Sequence, residues 1–219
     1  MQFSSDVEVS NPKTYWESVA RTKEFTTPFQ ANIFKKHVKK DAYILDVGCG
    51  YGRTLNELYD NGYKNSTGAD FSEKMLERGR AAYPHLRFET MKQSEIKYPE
   101  NTFDAVILLA LLTCIIRDDE QIKLLNEVKR VLKPDAVIYI NDFLLNSDER
   151  NVTRYKEYER KYKTYGVFEL PQEVTLRHHS KEWVKDSLQI FKELEFEEME
   201  YTTMNNNKSN GYYYFGKKQ

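Results

Sequence analysis

Three of the nine glycines in this 219-residue chain lie close together, at Gly48, Gly50 and Gly52. They follow an apolar run, residues 43–47, that contains a carboxylate at Asp46. A glycine turn between a strand and a helix presents bare backbone N–H groups and a helix N-terminus to a ligand. An acidic group beside that turn repels a pyrophosphate and favours a ligand end that carries an ammonium group. The pattern therefore predicts a site for a small ligand with a positively charged end.

The glycine spacing differs from that of a dinucleotide site. That fingerprint is G-x-G-x-x-G, and its third glycine lets the helix pack closely beside the pyrophosphate. In this chain Arg53 occupies the position of the third glycine. The spacing therefore argues against a dinucleotide, although a nucleotide-cofactor oxidoreductase remains an alternative interpretation.

Strand and helix patterns alternate around the glycine turn. Apolar runs predict strands at 43–47, 66–69, 86–90, 103–109 and 137–142. Helical patterns begin at Arg53, after an N-cap at Ser72, and at Asp118, the last of these ending near Leu132. Such alternation implies right-handed crossovers and a mainly parallel sheet. We therefore expect a doubly wound, Rossmann-like α/β core over residues 40–145.

The pattern changes after this core. A charged helical segment, 147–163, is followed by a second helix from Ser180 to about Leu194. Residues 196–203 and 211–217 predict an antiparallel hairpin with a long loop at the sheet edge. One face of the first helix is predicted to carry Tyr155, Tyr158, Tyr162 and Tyr165. The single domain would comprise an N-terminal lid segment (11–38), the core (40–145), an inserted segment (146–180) and a C-terminal helix and hairpin (181–219).

Residues 46–52 closely resemble the first motif of the class I S-adenosylmethionine-dependent methyltransferases. Asp70, 24 residues after Asp46 at the end of the second strand, matches the family's acidic residue that bonds both ribose hydroxyls. Residues 101–104 and 131–134, before the fourth and fifth strands, also have the spacing of the family. The resemblance covers roughly residues 40–145 and implies a mainly parallel seven-stranded sheet with an antiparallel C-terminal hairpin.

The resemblance implies S-adenosyl-L-methionine as the cofactor and S-adenosyl-L-homocysteine as its product. Asp46 and the backbone of Gly48 and Gly50 would hold the aminocarboxypropyl end, and Asp70 would hold the ribose. The other residues expected at the cofactor site are Tyr15, Cys49, Phe71, Met75, Gln93, Ser94, Leu109, Ala110 and Leu111.

One position departs from the family pattern. Lys92 stands where many members carry an acid that accepts a hydrogen bond from the adenine amino group. A lysine cannot accept a hydrogen bond. Gln93, Ser94 or a shifted loop would have to replace that contact.

Methyl transfer from a sulfonium is an in-line displacement, so the protein mainly positions the acceptor and excludes water. An acceptor oxygen or nitrogen that carries a proton also needs a general base. The candidates are His178, His179 and Asp142. Neighbouring side chains in an extended segment face opposite ways, so His178 and His179 would not share a site. We expect no metal site, because no carboxylate cluster accompanies the histidines.

The chain carries 33 basic and 34 acidic side chains, a formal net charge of −1. This balance provides no field that would collect a polyanion, so we expect neither a nucleic-acid nor a membrane partner. Tyr15, Trp16 and the tyrosines of the inserted segment predict a lidded aromatic pocket, which suits a planar or cationic acceptor. The expected activity is N- or O-methylation of a small molecule by a monomer or homodimer.

The sequence also indicates where the protein is located. With two cysteines, no apolar run of membrane-spanning length and no signal-peptide pattern, the sequence predicts a cytoplasmic protein. A regulator that binds S-adenosylmethionine without catalysis, its tyrosine face buried in a homodimer, remains the other alternative.

Overall fold

The structure, a computed structural model, describes residues 12–171, 174–203 and 206–219. Residue 11, where the predicted lid segment begins, lies outside the described residues. The strands are β1 Ile44–Val47, β2 Ser66–Asp70, β3 Arg87–Thr90, β4 Phe103–Leu109, β5 Leu132–Phe143, β6 Val167–Glu169, β7 Thr175–Arg177, β8 Lys192–Thr202 and β9 Lys208–Lys217. The helices are α1 Pro12–Val19, α2 Ala31–His37, α3 Arg53–Asp60, α4 Glu73–Ala82, α5 Asp118–Val131, α6 Glu149–Tyr162 and α7 Lys181–Leu188.

A seven-stranded sheet in the order β3-β2-β1-β4-β5-β9-β8 forms the centre of the molecule. The first five strands in that order are parallel, and β9 and β8 complete the sheet in antiparallel pairing. The predicted fold class is therefore confirmed. The strand order reverses between β1 and β4, so their carboxyl ends leave a crevice where α/β sheets bind ligands.

Strand β4 shows why this sheet is buried on both faces. Val106 and Leu108 pack into one core with α5 and α7, whereas Ala105 and Ile107 pack into a second core with α2, α3 and α4. A parallel strand covered on both faces has a continuous apolar sequence rather than an alternating one. The apolar run 105–109 that indicated a buried strand is therefore explained by the two-sided packing.

The C-terminal elements differ from the sequence prediction in length. Helix α7 ends at Leu188 rather than near Leu194, because β8 begins at Lys192 and pairs with β9 over its whole length. Phe196 of β8 stacks on Tyr212 of β9 with ring centroids 5.5 Å apart. Long-range strand pairing has thus overridden a local helical pattern, and the hairpin loop is shorter than predicted.

The inserted segment contains α6 as predicted and a two-stranded antiparallel sheet, β6 and β7, that the sequence did not indicate. Strands of three residues are too short to produce a readable alternation. Tyr155 and Tyr162 of α6 are fully buried and Tyr158 is half-buried. Tyr165 lies beyond the helix end and is exposed, so its predicted place on the helix face is wrong.

The N-terminal segment packs against the glycine turn. The Glu17 carboxylate accepts hydrogen bonds from the backbone N–H groups of Glu73 (2.8 Å) and Lys74 (3.3 Å), at the start of α4. Arg78 donates to the carbonyls of Ala20 (3.0 Å) and Lys23 (2.7 Å). These contacts hold residues 17–23 over one end of the crevice, where the sequence predicted a lid.

Candidate active site

The glycine turn after β1 adopts a backbone that other residues rarely tolerate. Gly48 and Gly50 have φ angles of +72° and +55°, in the left-handed region. A Cβ atom on Gly48 would lie 2.7 Å from Leu111, and one on Gly50 would overlap the Phe25 ring. The glycines therefore permit this backbone conformation and let Leu111 and Phe25 lie directly against the turn.

Asp70 ties this turn to helix α4. One carboxylate oxygen accepts from the Gly50 N–H and the other from the Ser72 N–H, each at 2.8 Å. Ser72 in turn caps α4 by accepting from the Met75 N–H at 3.3 Å. Burial raises the pKa of Asp70 more than these hydrogen bonds lower it. Its two oxygens retain lone pairs for further donors, because a carboxylate offers about four acceptor sites.

Asp46, within β1, is the least compensated charge of the site. The residue is 1% exposed, and its Oδ2 atom has no hydrogen-bond partner among the described residues. Burial raises the pKa of Asp46 to about 8, while the Arg53 charge opposes and the Asp70 charge reinforces that shift. An unpaired buried carboxylate is costly. A cationic group in front of Oδ2 would remove that cost.

A cavity of about 230 Å³ opens in front of the glycine turn. Most of the predicted cofactor residues line it, together with one predicted catalytic residue. These are Asp46, Gly48, Cys49, Gly50, Asp70, Phe71, Met75, Leu109, Ala110, Leu111 and His178.

A smaller pocket of about 30 Å³ is bounded by Trp16, Gly48, Phe71 and Leu111, which also line the larger cavity. Gln93 and Ser94 line this smaller pocket. The Ser94 hydroxyl is buried and has no hydrogen-bond partner in the described parts of the chain. Lys92 is exposed and forms an ion pair with Glu95 at 3.8 Å. Ser94 rather than Lys92 thus offers a polar atom at this end of the site.

Tyr15 does not reach either pocket. It is buried, and its ring packs edge-on against Trp16 with centroids 4.9 Å apart. Trp16 is the residue of α1 that lines both pockets. The helix thus turns Trp16, rather than Tyr15, towards the crevice where the sequence predicted a cofactor contact.

Asp142 is also placed away from the cavity lining. Its carboxylate is fully buried and accepts from the backbone N–H groups of Phe143 (2.8 Å) and Thr113 (3.3 Å). Burial raises its pKa to about 7. Asp142 therefore anchors the short 3₁₀ turn 112–114 that follows β4, which corrects its predicted role as a base.

His179 points away from the cavity, as expected for a neighbour of His178. Its ring stacks on Trp183 with centroids 4.7 Å apart, and its Nε2 atom lies 2.9 Å from the Gln121 side-chain nitrogen. Burial lowers the pKa of His179 well below the ordinary value. Its predicted catalytic role is corrected to a packing role between α5 and α7.

His178 lies on the cavity. Its Nδ1 atom is 2.6 Å from the Tyr155 hydroxyl and 3.2 Å from the Asn146 side-chain nitrogen. The ring stacks on Phe143, with centroids 5.4 Å apart, and meets the edge of Phe168 at 4.8 Å. Burial, reinforced by the charges of Arg154 and Arg150, lowers the pKa of His178 well below the ordinary value. The imidazole is therefore neutral near pH 7.

Several cavity residues were missed by the sequence reasoning as site residues. Arg53 was noted only as the residue that breaks the dinucleotide spacing. Arg150 and Arg154 lie in a highly charged helix, where they are indistinguishable from solvated surface residues. Phe143 depends on the fold for its position. The missed residues also include Lys23, Thr113 and Cys114.

A sequence profile described as a methyltransferase domain matches residues 44–135. Part of the chain is 31% identical over 111 residues to the mouse (Mus musculus) "eEF1A lysine and N-terminal methyltransferase". That match covers 46% of this chain but 16% of the mouse protein.

Solved structures extend the likeness to most of the chain. A protein of Methanosarcina mazei, titled a SAM-dependent methyltransferase, superposes with a TM-score of 0.81 at 26% identity, covering 85% of this chain and 96% of that one. The 1,6-didemethyltoxoflavin-N1-methyltransferase of Burkholderia thailandensis, solved with S-adenosylhomocysteine, shares the fold at 16% identity, with a TM-score of 0.70 and coverage of 99% and 95%. Residues 44–135 therefore match a methyltransferase domain, and the fold over most of the chain is that of the S-adenosylmethionine-dependent methyltransferase from Methanosarcina mazei. Within its described parts, no helix is long and apolar enough to cross a membrane.

The unpaired carboxylate of Asp46 generates a prediction about stability. Its pKa is raised from 3.8 to about 8, so the folded protein binds more protons than the unfolded chain between these values. The fold therefore loses stability as pH rises towards 8. We expect Asp46→Asn to raise the melting temperature of the ligand-free protein, with a gain that is larger at pH 8 than at pH 5. Asp41→Asn, at an exposed position just before β1, is the matched control. An equal gain in melting temperature at pH 5 and pH 8 would show that the pKa of Asp46 is not raised in the folded protein.

Proposed function

We propose that this protein transfers a methyl group from S-adenosylmethionine to a nitrogen or oxygen of a small-molecule acceptor. The observation that carries the proposal is one continuous cavity, lined by Asp46 and the glycine turn and also by Phe168 and His178. Cofactor residues and acceptor residues would thus share one space.

The cofactor end fits the charges of an amino acid. The unpaired Oδ2 atom of Asp46 would accept from the ammonium group. The Nε atom of Arg53 is also buried without a hydrogen-bond partner among the described residues, and its charge acts on Asp46. Arg53 would therefore face the carboxylate of the same ligand end. The remaining lone pairs of Asp70 suit two ribose hydroxyls, and the Ser94 hydroxyl suits the adenine amino group.

S-adenosylmethionine, when bound, supplies an electrophilic methyl group on a positively charged sulfur. Leu109, Ala110 and Leu111 line the wall after β4. Asp142 holds this wall in place through the backbone that follows it. Phe143 and Phe168 supply an apolar surface that keeps water from the acceptor. The chain thus contributes mainly positioning and desolvation.

His178 is the side chain that we assign as the base. The Tyr155 hydroxyl is able to accept from Nδ1–H while donating to Asn151 Oδ1, 3.4 Å away. The two hydrogens of the Asn146 side-chain nitrogen then go to Leu144 O (3.0 Å) and Ser209 Oγ (3.1 Å) rather than to Nδ1. This tautomer leaves the lone pair of Nε2 available to take a proton from the acceptor. Its lowered pKa keeps the ring unprotonated and available.

A lysine side chain is a less favourable acceptor. The cavity carboxylates, Asp46 and Asp70, belong to the cofactor end, whereas Arg150, Arg154 and Lys23 also line the cavity. A lysine ammonium entering beside these charges would be repelled. This charge distribution supports a small molecule over the lysine acceptor named for the mouse relative.

Cofactor binding is tested by thermal unfolding. We expect saturating S-adenosylmethionine or S-adenosylhomocysteine to raise the melting temperature by roughly 5–10 °C, the gain expected at one hundred times Kd for a chain of this size. NADH should give no shift, and Asp46→Asn should abolish the shift. A shift with NADH alone would support a nucleotide-cofactor oxidoreductase instead.

Catalysis is tested with methyl-labelled S-adenosylmethionine against a pooled metabolite extract and, separately, purified eEF1A. We expect label in a small molecule. Label in eEF1A would contradict the acceptor class, and label in neither would favour a non-catalytic cofactor-binding protein.

The labelled acceptor then tests His178. His178→Gln should lower kcat by roughly a hundredfold, the scale of general base catalysis, without changing the affinity for S-adenosylhomocysteine. Because the pKa of His178 lies well below its ordinary value of 6.5, the wild-type kcat, measured at saturating S-adenosylmethionine and acceptor, should be constant from pH 8 to pH 6.5. His85→Gln, at an exposed histidine, is the control. An unchanged kcat in His178→Gln would show that His178 is not the general base.

A further inference from the structure

Two arginines of the inserted segment line the cavity beside His178. Arg150 and Arg154 are four residues apart in the first half of α6, so their side chains lie on the same helix face. Both charges depress the pKa of His178. The charge that acts on Asp46 is instead that of Arg53. The two guanidinium groups of α6 therefore belong to the His178 side of the cavity, apart from the glycine turn.

Arg154 is held in a defined position but is incompletely paired. Its guanidinium carbon lies 3.5 Å from the centre of the Phe168 ring, and one terminal nitrogen donates to Asn151. Its Nε atom is buried without a hydrogen-bond partner, and no carboxylate of the described residues lies within 4 Å of the group. Burial lowers the pKa of Arg154 from its ordinary value. A desolvated cation of this kind is stabilised when an anion completes its hydrogen bonds.

Among the described residues, no carboxylate forms an ion pair with Arg154, although the charge of Asp148 acts on it. Asp148 contacts Arg150 at 3.7 Å and also caps α6 by accepting from the Asn151 N–H. Asp46 and Asp70, the carboxylates of the cavity lining, are at the glycine turn. The space bounded by His178, Phe168 and Arg154 is thus apolar on its walls and positively charged at one edge.

We propose that the acceptor carries an anionic oxygen group, a carboxylate or a phosphate, that binds to Arg154 with support from Arg150. This inference rests on the proposed function and names the substrate class of the same site. The planar fork of a guanidinium group matches both anions in a bidentate contact. The ring surfaces of Phe143 and Phe168 accommodate the apolar body of the acceptor. The cationic acceptor suggested by the aromatic composition is therefore replaced by an anionic one.

The test uses four small probes of similar size: benzoate, phenyl phosphate, benzyl alcohol and benzylamine. Their dissociation constants are measured by ligand-observed NMR titration, with the full-length protein both free and saturated with S-adenosylhomocysteine. We expect benzoate or phenyl phosphate to bind roughly tenfold to a hundredfold more tightly than benzyl alcohol, the range of a charge-assisted bidentate contact. Benzylamine should bind most weakly. The comparison of benzoate with phenyl phosphate separates the two anion classes.

Matched variants assign the preference to Arg154. Arg154→Met keeps an apolar stem beside Phe168 and should abolish the preference for anions. Arg160→Met, on an exposed turn of the same helix, should leave it unchanged. If Arg154→Met does not fold, Arg154→Lys should retain a weakened preference, because it keeps the charge and loses the fork.

The outcomes separate this inference from the proposed function. Equal or weaker binding of the anions, or no binding of any probe at millimolar concentration, would overturn the anionic acceptor while leaving cofactor binding intact. An anion preference that survives in Arg154→Met would also overturn it. Failure of S-adenosylhomocysteine to bind would instead overturn the proposed function, and the probe series in the free protein would still decide the inference.

Discussion

A single buried carboxylate, without a hydrogen-bond partner for one oxygen in the described parts of the chain, is the constraint around which the candidate site is arranged. Asp46 is enclosed between β2 and β4, in a sheet that is covered on both faces. Burial disfavours the charged form of this carboxyl group and raises its pKa to about 8. The glycine turn, which Asp70 holds through the Gly50 N–H, and N-terminal residues such as Phe25 surround the cavity that Asp46 lines. This combination is expected of a site whose stability is completed by a ligand rather than by the fold.

On the acceptor side of the cavity, the buried group that is incompletely paired is a cation. Arg154 is desolvated against Phe168, and His178 is kept neutral by burial and by the arginines. The inserted segment, residues 146–180, supplies Arg154, Phe168 and His178. Under the proposed function, the core would hold the cofactor end and the inserted segment would select the acceptor.

The sequence predicted those features that depend on local rules. The glycine turn, the Ser72 cap and the strand 103–109 each follow from residues that are neighbours in the chain. Asp142 was misassigned because its partner, the Thr113 N–H, lies 29 residues away and becomes adjacent only when β5 pairs with β4. Tyr15 and Trp16 are consecutive aromatics in one short helix, and their register is fixed by packing on α4 rather than by pattern. Arg154 has the sequence context of a surface residue, so its burial depends wholly on the fold.

We infer that Asp46 is protonated in the free protein and ionised opposite a cationic ligand group. Isothermal titration calorimetry of S-adenosylhomocysteine at pH 7, in buffers of different ionisation enthalpy, measures this directly. With a free pKa of about 8, binding should release close to one proton per site, and the release should vanish as pH rises well above 8. Binding without proton release at pH 7 would contradict this inference, because it would show that Asp46 either is already ionised or does not face the ligand.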